Sequence, residues 1–178
     1  NKVLPGDAKK GIINELLGSK RPLFLIGDGF RGISAINKLT QIAERNNIPI
    51  LSCRFSLDLV SKSSKYFGYI GSHGLRYSNF ILSKADLIIT LGNRMSFPEN
   101  SESYAKVFNS AHIIRIDIDE AELTRKIPGG VSFVIDLNQL LSELKGVDMP
   151  YIDNGTWLKT CYTLKEKLLM EDFGYPIN

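Results

Sequence analysis

The chain reads as an α/β protein, a doubly wound and mostly parallel sheet of about six strands with helices on both faces. Three observations predict this. Short, almost wholly apolar runs recur along the chain, and segments of helical period lie between them. A glycine-spaced turn, Gly27-Asp28-Gly29-Phe30-Arg31-Gly32, joins the first run to a helix-like segment from Ser34. Strands that are apolar at nearly every position belong to a sheet covered on both sides, and right-handed crossovers are expected between them.

Five runs carry the strand signal: Leu23–Ile26, Pro49–Cys53, Leu87–Leu91, His112–Ile118 and Ser132–Ile135. Each is rich in Ile, Val, Leu or Phe and bounded by Gly, Asp or Pro. Gly11 to Leu17 reads as a first helix through Ile12, Ile13, Leu16 and Leu17. Ile33, Ile36, Leu39 and Ala43 form the stripe of a second, and Tyr77, Phe80, Ile81 and Ala85 that of a third. Asp136 stands where a cap is needed for a helix carrying Leu140, Leu141 and Leu144. Glu99 and Glu102 read as helix-surface carboxylates. The 178 residues are read as one α/β domain: a core over 10–145, a loop over 146–155, and a C-terminal helix over 156–170. Trp157, Cys161, Leu164 and Leu168 make that helix's stripe. It is expected to cover the sheet, the alternative being that it awaits a neighbour.

Composition narrows the function classes. With 43% hydrophobic and 23% charged residues the chain can bury a sizeable core. A net charge of +3, with Lys62, Lys65, Arg76 and Lys84 scattered, gives no footprint for nucleic acid. No apolar run approaches the ~20 residues that cross a bilayer. Two cysteines, Cys53 and Cys161, make neither a disulfide framework nor a metal set, and they fit a reducing, cytoplasmic setting. The chain opens Asn-Lys, so a fragment or processed product is expected.

In an open parallel sheet, ligands bind beyond the carboxyl ends of the strands. The runs are followed in turn by Gly27-Asp28-Gly29, by Cys53-Arg54, by Gly92-Asn93-Arg94, by Asp117-Ile118-Asp119 and by Asp136. Glycines let a phosphate approach the backbone, and a helix N-terminus offers it free N–H groups. Arg94 supplies a fork of donors for a diphosphate, and Asp117 an acceptor for a ribose or ribityl hydroxyl. Each has a plainer alternative. The glycines serve the turn, Arg94 pairs with Asp117 or Asp119, and Asp119 and Asp136 cap the helical segments that begin beside them. A dehydrogenase needs a carboxylate ending the second strand, about 20 residues past the glycines, and Leu-Ser-Cys-Arg-Phe stands there. His73, between glycines in Gly71-Ser72-His73-Gly74, is no catalytic device by itself, and His73 and His112 have no metal ligands at useful spacing.

Five segments in order nevertheless form a set: Arg21-Pro-Leu-Phe-Leu-Ile-Gly-Asp-Gly, Ala43-Glu-Arg-Asn-Asn-Ile-Pro, Tyr69-Ile-Gly-Ser-His-Gly, Ala85-Asp-Leu-Ile-Ile-Thr-Leu-Gly-Asn-Arg and Ile114-Arg-Ile-Asp-Ile-Asp. The set resembles the Rossmann-like central domain of thiamine-diphosphate-dependent enzymes, most closely the acetolactate synthase group, over roughly Lys10 to Leu144. The resemblance implies a parent that breaks and makes bonds beside the carbonyl of a 2-oxo acid, with thiamine diphosphate and magnesium held by flanking domains. It implies homo-oligomers, with neither nucleic acid nor membrane as partner. The middle domain holds FAD in a structural role in the synthases, and ADP or nothing in relatives. A binding module, and more remotely an NAD-dependent deacylase, are the alternatives.

Carried over by position, the resemblance implies that Gly27 and Gly29 lie near a diphosphate, that Cys53 and Arg54 flank the flavin, and that Ser72, His73 and Gly74 match a Gly-Met-His-Gly segment. Gly92, Asn93 and Arg94 match a Gly-x-Arg touching ribityl and phosphate, while Asp117, Ile118 and Asp136 stand near the adenosine. The sequence departs from the family pattern in three places. Asp28 stands where a small residue is usual, Ser72 replaces a methionine, and Met95-Ser96-Phe97-Pro98 replaces Phe-Asp-Asp-Arg. Gly27-Asp28-Gly29 lacks the downstream paired asparagines of the family's metal motif, so no metal is expected here.

Overall fold

A computed structural model describes residues 5–95, 108, 111–124, 127, 130–145 and 154–172. Glu99, Glu102 and the expected loop 146–155, apart from Asn154 and Gly155, lie outside the described residues. Six strands form one parallel sheet in the order β3-β2-β1-β4-β5-β6. They are β1 (Pro22–Ile26), β2 (Ile50–Ser52), β3 (Tyr66–Tyr69), β4 (Leu87–Leu91), β5 (His112–Asp117) and β6 (Gly130–Val134). The strand order reverses between β1 and β4, where doubly wound sheets open a crevice.

The central strands are apolar throughout because both their faces are covered. In β1, Phe24 and Ile26 face one core and Leu23 and Leu25 the other, and Ile88 on β4 points opposite to Leu87, Ile89 and Leu91. The first core is closed by α1 (Pro5–Gly18), α2 (Ile36–Arg45), the single turn α3 (Leu57–Val60) and α5 (Leu137–Lys145). The second is closed by α4 (Arg76–Lys84) and the last helix, α6 (Gly155–Asp172). Ile12 and Leu16 of α1 are buried while Leu17 is 45% exposed, so three of its expected core residues do not share one depth.

The α6 stripe covers the sheet. Trp157, Cys161 and Leu168 are buried against Leu23, Leu25 and Phe67, with Leu164 packed at the margin. Two directional bonds fix its start at the amino end of the sheet. Trp157 Nε1 donates to the Pro22 carbonyl at 3.0 Å, and Asn154 Nδ2 to that of Asn46 at 2.8 Å. Among the described residues no helix is long and apolar enough to cross a membrane.

Two strands differ from the sequence expectation. β3 escaped it because Tyr-Phe-Gly-Tyr has no branched aliphatic run, and Gly68 adopts φ +85°. β6 starts two residues and ends one residue before the expected Ser132–Ile135, since its register is set by pairing Ile113 with Gly130.

Candidate functional site

The crevice is built from main chain. Ile26 pairs with Leu91, which brings the loops after β1 and β4 side by side. The Gly27 N–H donates to the Leu91 carbonyl and the Gly29 N–H to that of Gly92, both at 3.0 Å. The Gly92 N–H donates to Ile116 and the Cys53 N–H to Ile26, both at 2.9 Å. Four strand tips are thus stitched laterally. A Cβ on Gly27 would lie 2.3 Å from the Gly92 oxygen and 2.5 Å from Asn93 Cα, and one on Gly29 would lie 2.9 Å from that same oxygen. Gly92 itself has φ +58°. These glycines are required because two backbones touch.

Above this floor opens a cavity of about 460 Å³ lined by Gly27, Asp28, Gly29, Cys53, Phe55, Gly92, Asn93, Arg94, Asp117, Asp119 and Glu122. The tips at Gly27, Gly92 and Asp117 therefore meet in one place. Asn93 is buried and organises the centre. Its Nδ2 donates to Cys53 Sγ at 3.0 Å, and its Oδ1 accepts the Met95 N–H at 2.8 Å, holding Met95 at φ +48°. Burial pushes the Cys53 thiol up, and the Asn93 bond offsets part of that rise.

The walls are acidic and internally engaged. Arg94 Nε lies 3.0 Å from Glu122 Oε1, so its partner is Glu122 rather than the expected Asp117 or Asp119. Buried Arg115 donates to the Glu122 carbonyl at 2.6 Å and fixes that turn. Asp117 accepts the Asp119 N–H at 3.0 Å, and Asp119 accepts that of Ala121 at 2.8 Å, two successive side-chain turns leading into the short 3₁₀ turn Ala121–Leu123. On the opposite rim Arg31 reaches Asp28 at 3.1 Å and both oxygens of Asp58 at 3.1 Å, and donates to the Phe55 carbonyl. The Arg31 hydrogen bond holds the Asp58 carboxyl below the usual carboxylate range. It also raises Arg31 above its ordinary value, the bond to Asp58 first and that to Asp28 next.

The remaining expected site residues lie elsewhere. Arg54 is exposed at the start of the 3₁₀ turn Arg54–Ser56 and does not line the cavity. Ser72, His73 and Gly74 form a tight turn beyond β3, on the far edge of the sheet. There the Gly74 N–H donates to Gly71, Asn79 brackets Gly71 at 3.1 and 2.9 Å, and Ser72 Oγ meets His73 Nδ1 at 3.2 Å. Ile118 is 68% exposed outside the lining. Asp136 accepts the Gln139 N–H at 2.9 Å and caps α5.

The helix expected from Ser34 starts instead at Ile36, and its entry is taken. Asn138 Oδ1 accepts from both the Ser34 hydroxyl and the Ala35 N–H at 3.1 Å. Sequence reasoning missed Phe55 and Glu122 as lining residues. The spacing of Glu122, three residues after Asp119 in a short turn, was the available signal. For Phe55, 74% exposed in a short turn, there was none.

Residues 10–144 match the family model described as thiamine pyrophosphate enzyme, central domain. The chain is 32% identical to the acetolactate synthase large subunit of Lactococcus lactis subsp. lactis over 157 residues, 88% of this chain and 27% of that protein. It is 33% identical to the acetolactate synthase isozyme 1 large subunit of Escherichia coli over 128 residues, 71% and 22% of the two chains. A probable acetolactate synthase large subunit of Methanococcus aeolicus is 32% identical over 143 residues, 79% and 23%. The chain spans about a quarter of the length of these curated relatives. With its 3-2-1-4-5-6 parallel sheet and this match over most of its length, the chain belongs to the thiamine pyrophosphate enzyme central-domain family.

Proposed function

We propose that this chain is the middle portion of a longer acetolactate-synthase-like enzyme that decarboxylates a 2-oxo acid and joins the fragment to a second carbonyl compound. The observation that carries this reading is the family match over residues 10–144, in a chain spanning about a quarter of each acetolactate synthase large subunit it resembles. Thiamine diphosphate, held with magnesium by flanking domains, supplies the electron sink for that chemistry. The residues here hold those flanking domains apart and in register. The stitched strand tips and the α6 anchors at Pro22 and Asn46 give a rigid body for the purpose. The enzyme assembles as a homo-oligomer in a reducing, cytoplasmic compartment, which the two unpaired cysteines suit.

The cavity's own groups support a non-catalytic role. Burial raises its thiol above the ordinary range, and its arginine is already paired. The test compares the 178-residue chain with the full-length protein, each given pyruvate, thiamine diphosphate and magnesium. Carbon dioxide release by the full-length protein and none by the chain is expected. Turnover by the chain, or an inert full-length protein, overturns the proposal.

A further inference from the structure

We propose that the crevice of this chain excludes the diphosphate of FAD or ADP, so that the domain carries no such nucleotide. The inference goes beyond the function proposed above and stands whatever domains flank the chain. Three observations carry it.

The first concerns donors. A glycine loop holds a phosphate by aiming free backbone N–H groups at it. Here the N–H groups of Gly27, Gly29, Gly92 and Cys53 all donate to carbonyls of neighbouring strand tips at 2.9–3.0 Å. Turning them toward a ligand would undo the contact that requires the glycines. The second concerns the helix. The N-terminus beyond the glycine turn has its entry occupied by Asn138 Oδ1, which binds Ser34 and the Ala35 N–H at 3.1 Å. That side chain sits where an anion would profit from the helix dipole.

The third concerns charge. Among the described residues the walls present the carboxylates of Asp28, Asp117, Asp119 and Glu122, and against them one lining cation, Arg94. Arg94 is already held at 3.0 Å by Glu122. Arg31 offsets Asp28, but from the rim and shared with Asp58. A diphosphate would bring further negative charge among four carboxylates. The volume, about 460 Å³, leaves space for an uncharged ring system, so the exclusion is electrostatic rather than steric.

The test uses the full-length protein beside the purified chain, and the chain's cooperative melting checks that it is folded. FAD, ADP and riboflavin are titrated by fluorescence and thermal shift, and pyrophosphate by amide NMR shifts of Gly27, Gly29 and Gly92. No saturation by FAD or ADP is expected below about 1 mM. Removing one wall carboxylate by Glu122→Gln, which also releases Arg94, should tighten pyrophosphate about tenfold. Asp28→Asn, on a separate loop, provides an independent second variant with the same expected direction. Saturable binding of FAD or ADP to the unsubstituted protein with Kd under about 1 mM would overturn the proposal. So would pyrophosphate affinity unchanged in both variants, or riboflavin and FAD binding equally well.

Discussion

Gly27→Ala tests whether the crevice floor is a contact between two backbones. The added methyl would stand 2.3 Å from the Gly92 oxygen, 2.5 Å from Asn93 Cα and 2.8 Å from Asn93 Cβ. None of these atoms is the end of a flexible side chain, and both loops are anchored to central strands, so relief requires prising β1 and β4 apart at their tips. That also stretches the bonds from Gly27 to Leu91 and from Gly29 to Gly92. Overpacking of this kind costs about 3 kcal/mol, the upper part of the usual range. For a chain of this size that lowers the thermal midpoint by about 6–12 °C. Two other glycines calibrate the result. Gly32 has open space around it but φ +80°, so Gly32→Ala should cost only about 1 kcal/mol. Gly11 has open space within α1, and Gly11→Ala should stabilise by roughly 0.5–1 kcal/mol. Urea denaturation of the three variants reads the order directly. If Gly27→Ala proves no costlier than Gly32→Ala, the loops are not in contact as described.

Asp136→Ala removes the cap of α5 and should lower stability by about 1 kcal/mol with no ligand present, measured by urea denaturation. A residue serving only a bound nucleotide would leave the free protein unchanged. Trp157→Ala empties a buried site and orphans the Pro22 carbonyl, for a loss of about 3–5 kcal/mol. As the only tryptophan in the chain, Trp157 also reports its own docking, and its emission should move to the red on unfolding. Burial raises the thiols of Cys53 and Cys161 above their ordinary value of 9.0. Their contribution is therefore fully present below that value and is lost as pH rises toward the folded-state values, because the unfolded chain releases its protons first. Between about pH 6 and 8 stability should be level, and it should fall above about pH 9, a fall that Cys161→Ala should flatten.

The sheet was legible wherever burial on both faces forces apolar runs, as in Leu23–Ile26 and Leu87–Leu91. The crevice could be inferred from it, since strand ends in a doubly wound sheet fall together, and Gly27, Gly92 and Asp117 do line one cavity. What stayed hidden depends on partners distant in sequence. β3 has aromatic rings and a glycine in place of branched aliphatics, and its Phe67 is covered by Tyr162, whose ring lies 4.9 Å away. The choice of Glu122 by Arg94 reflects the turn that Arg115 fixes from within β5. A glycine spacing is the same whether its N–H groups face a ligand or a neighbouring strand, and Asn138, 103 residues from Ala35, leaves no trace near the helix it closes.

Because the base of the crevice consists of peptide groups linked to one another, its shape is insulated from side-chain replacement. Divergence within such a domain can therefore recolour the entrance, through Phe55, Arg94, Asp119 and Glu122, while the foundation keeps its form. Altered ligand preference, or the loss of any ligand, then needs only a few exchanges at the entrance and leaves folding largely untouched.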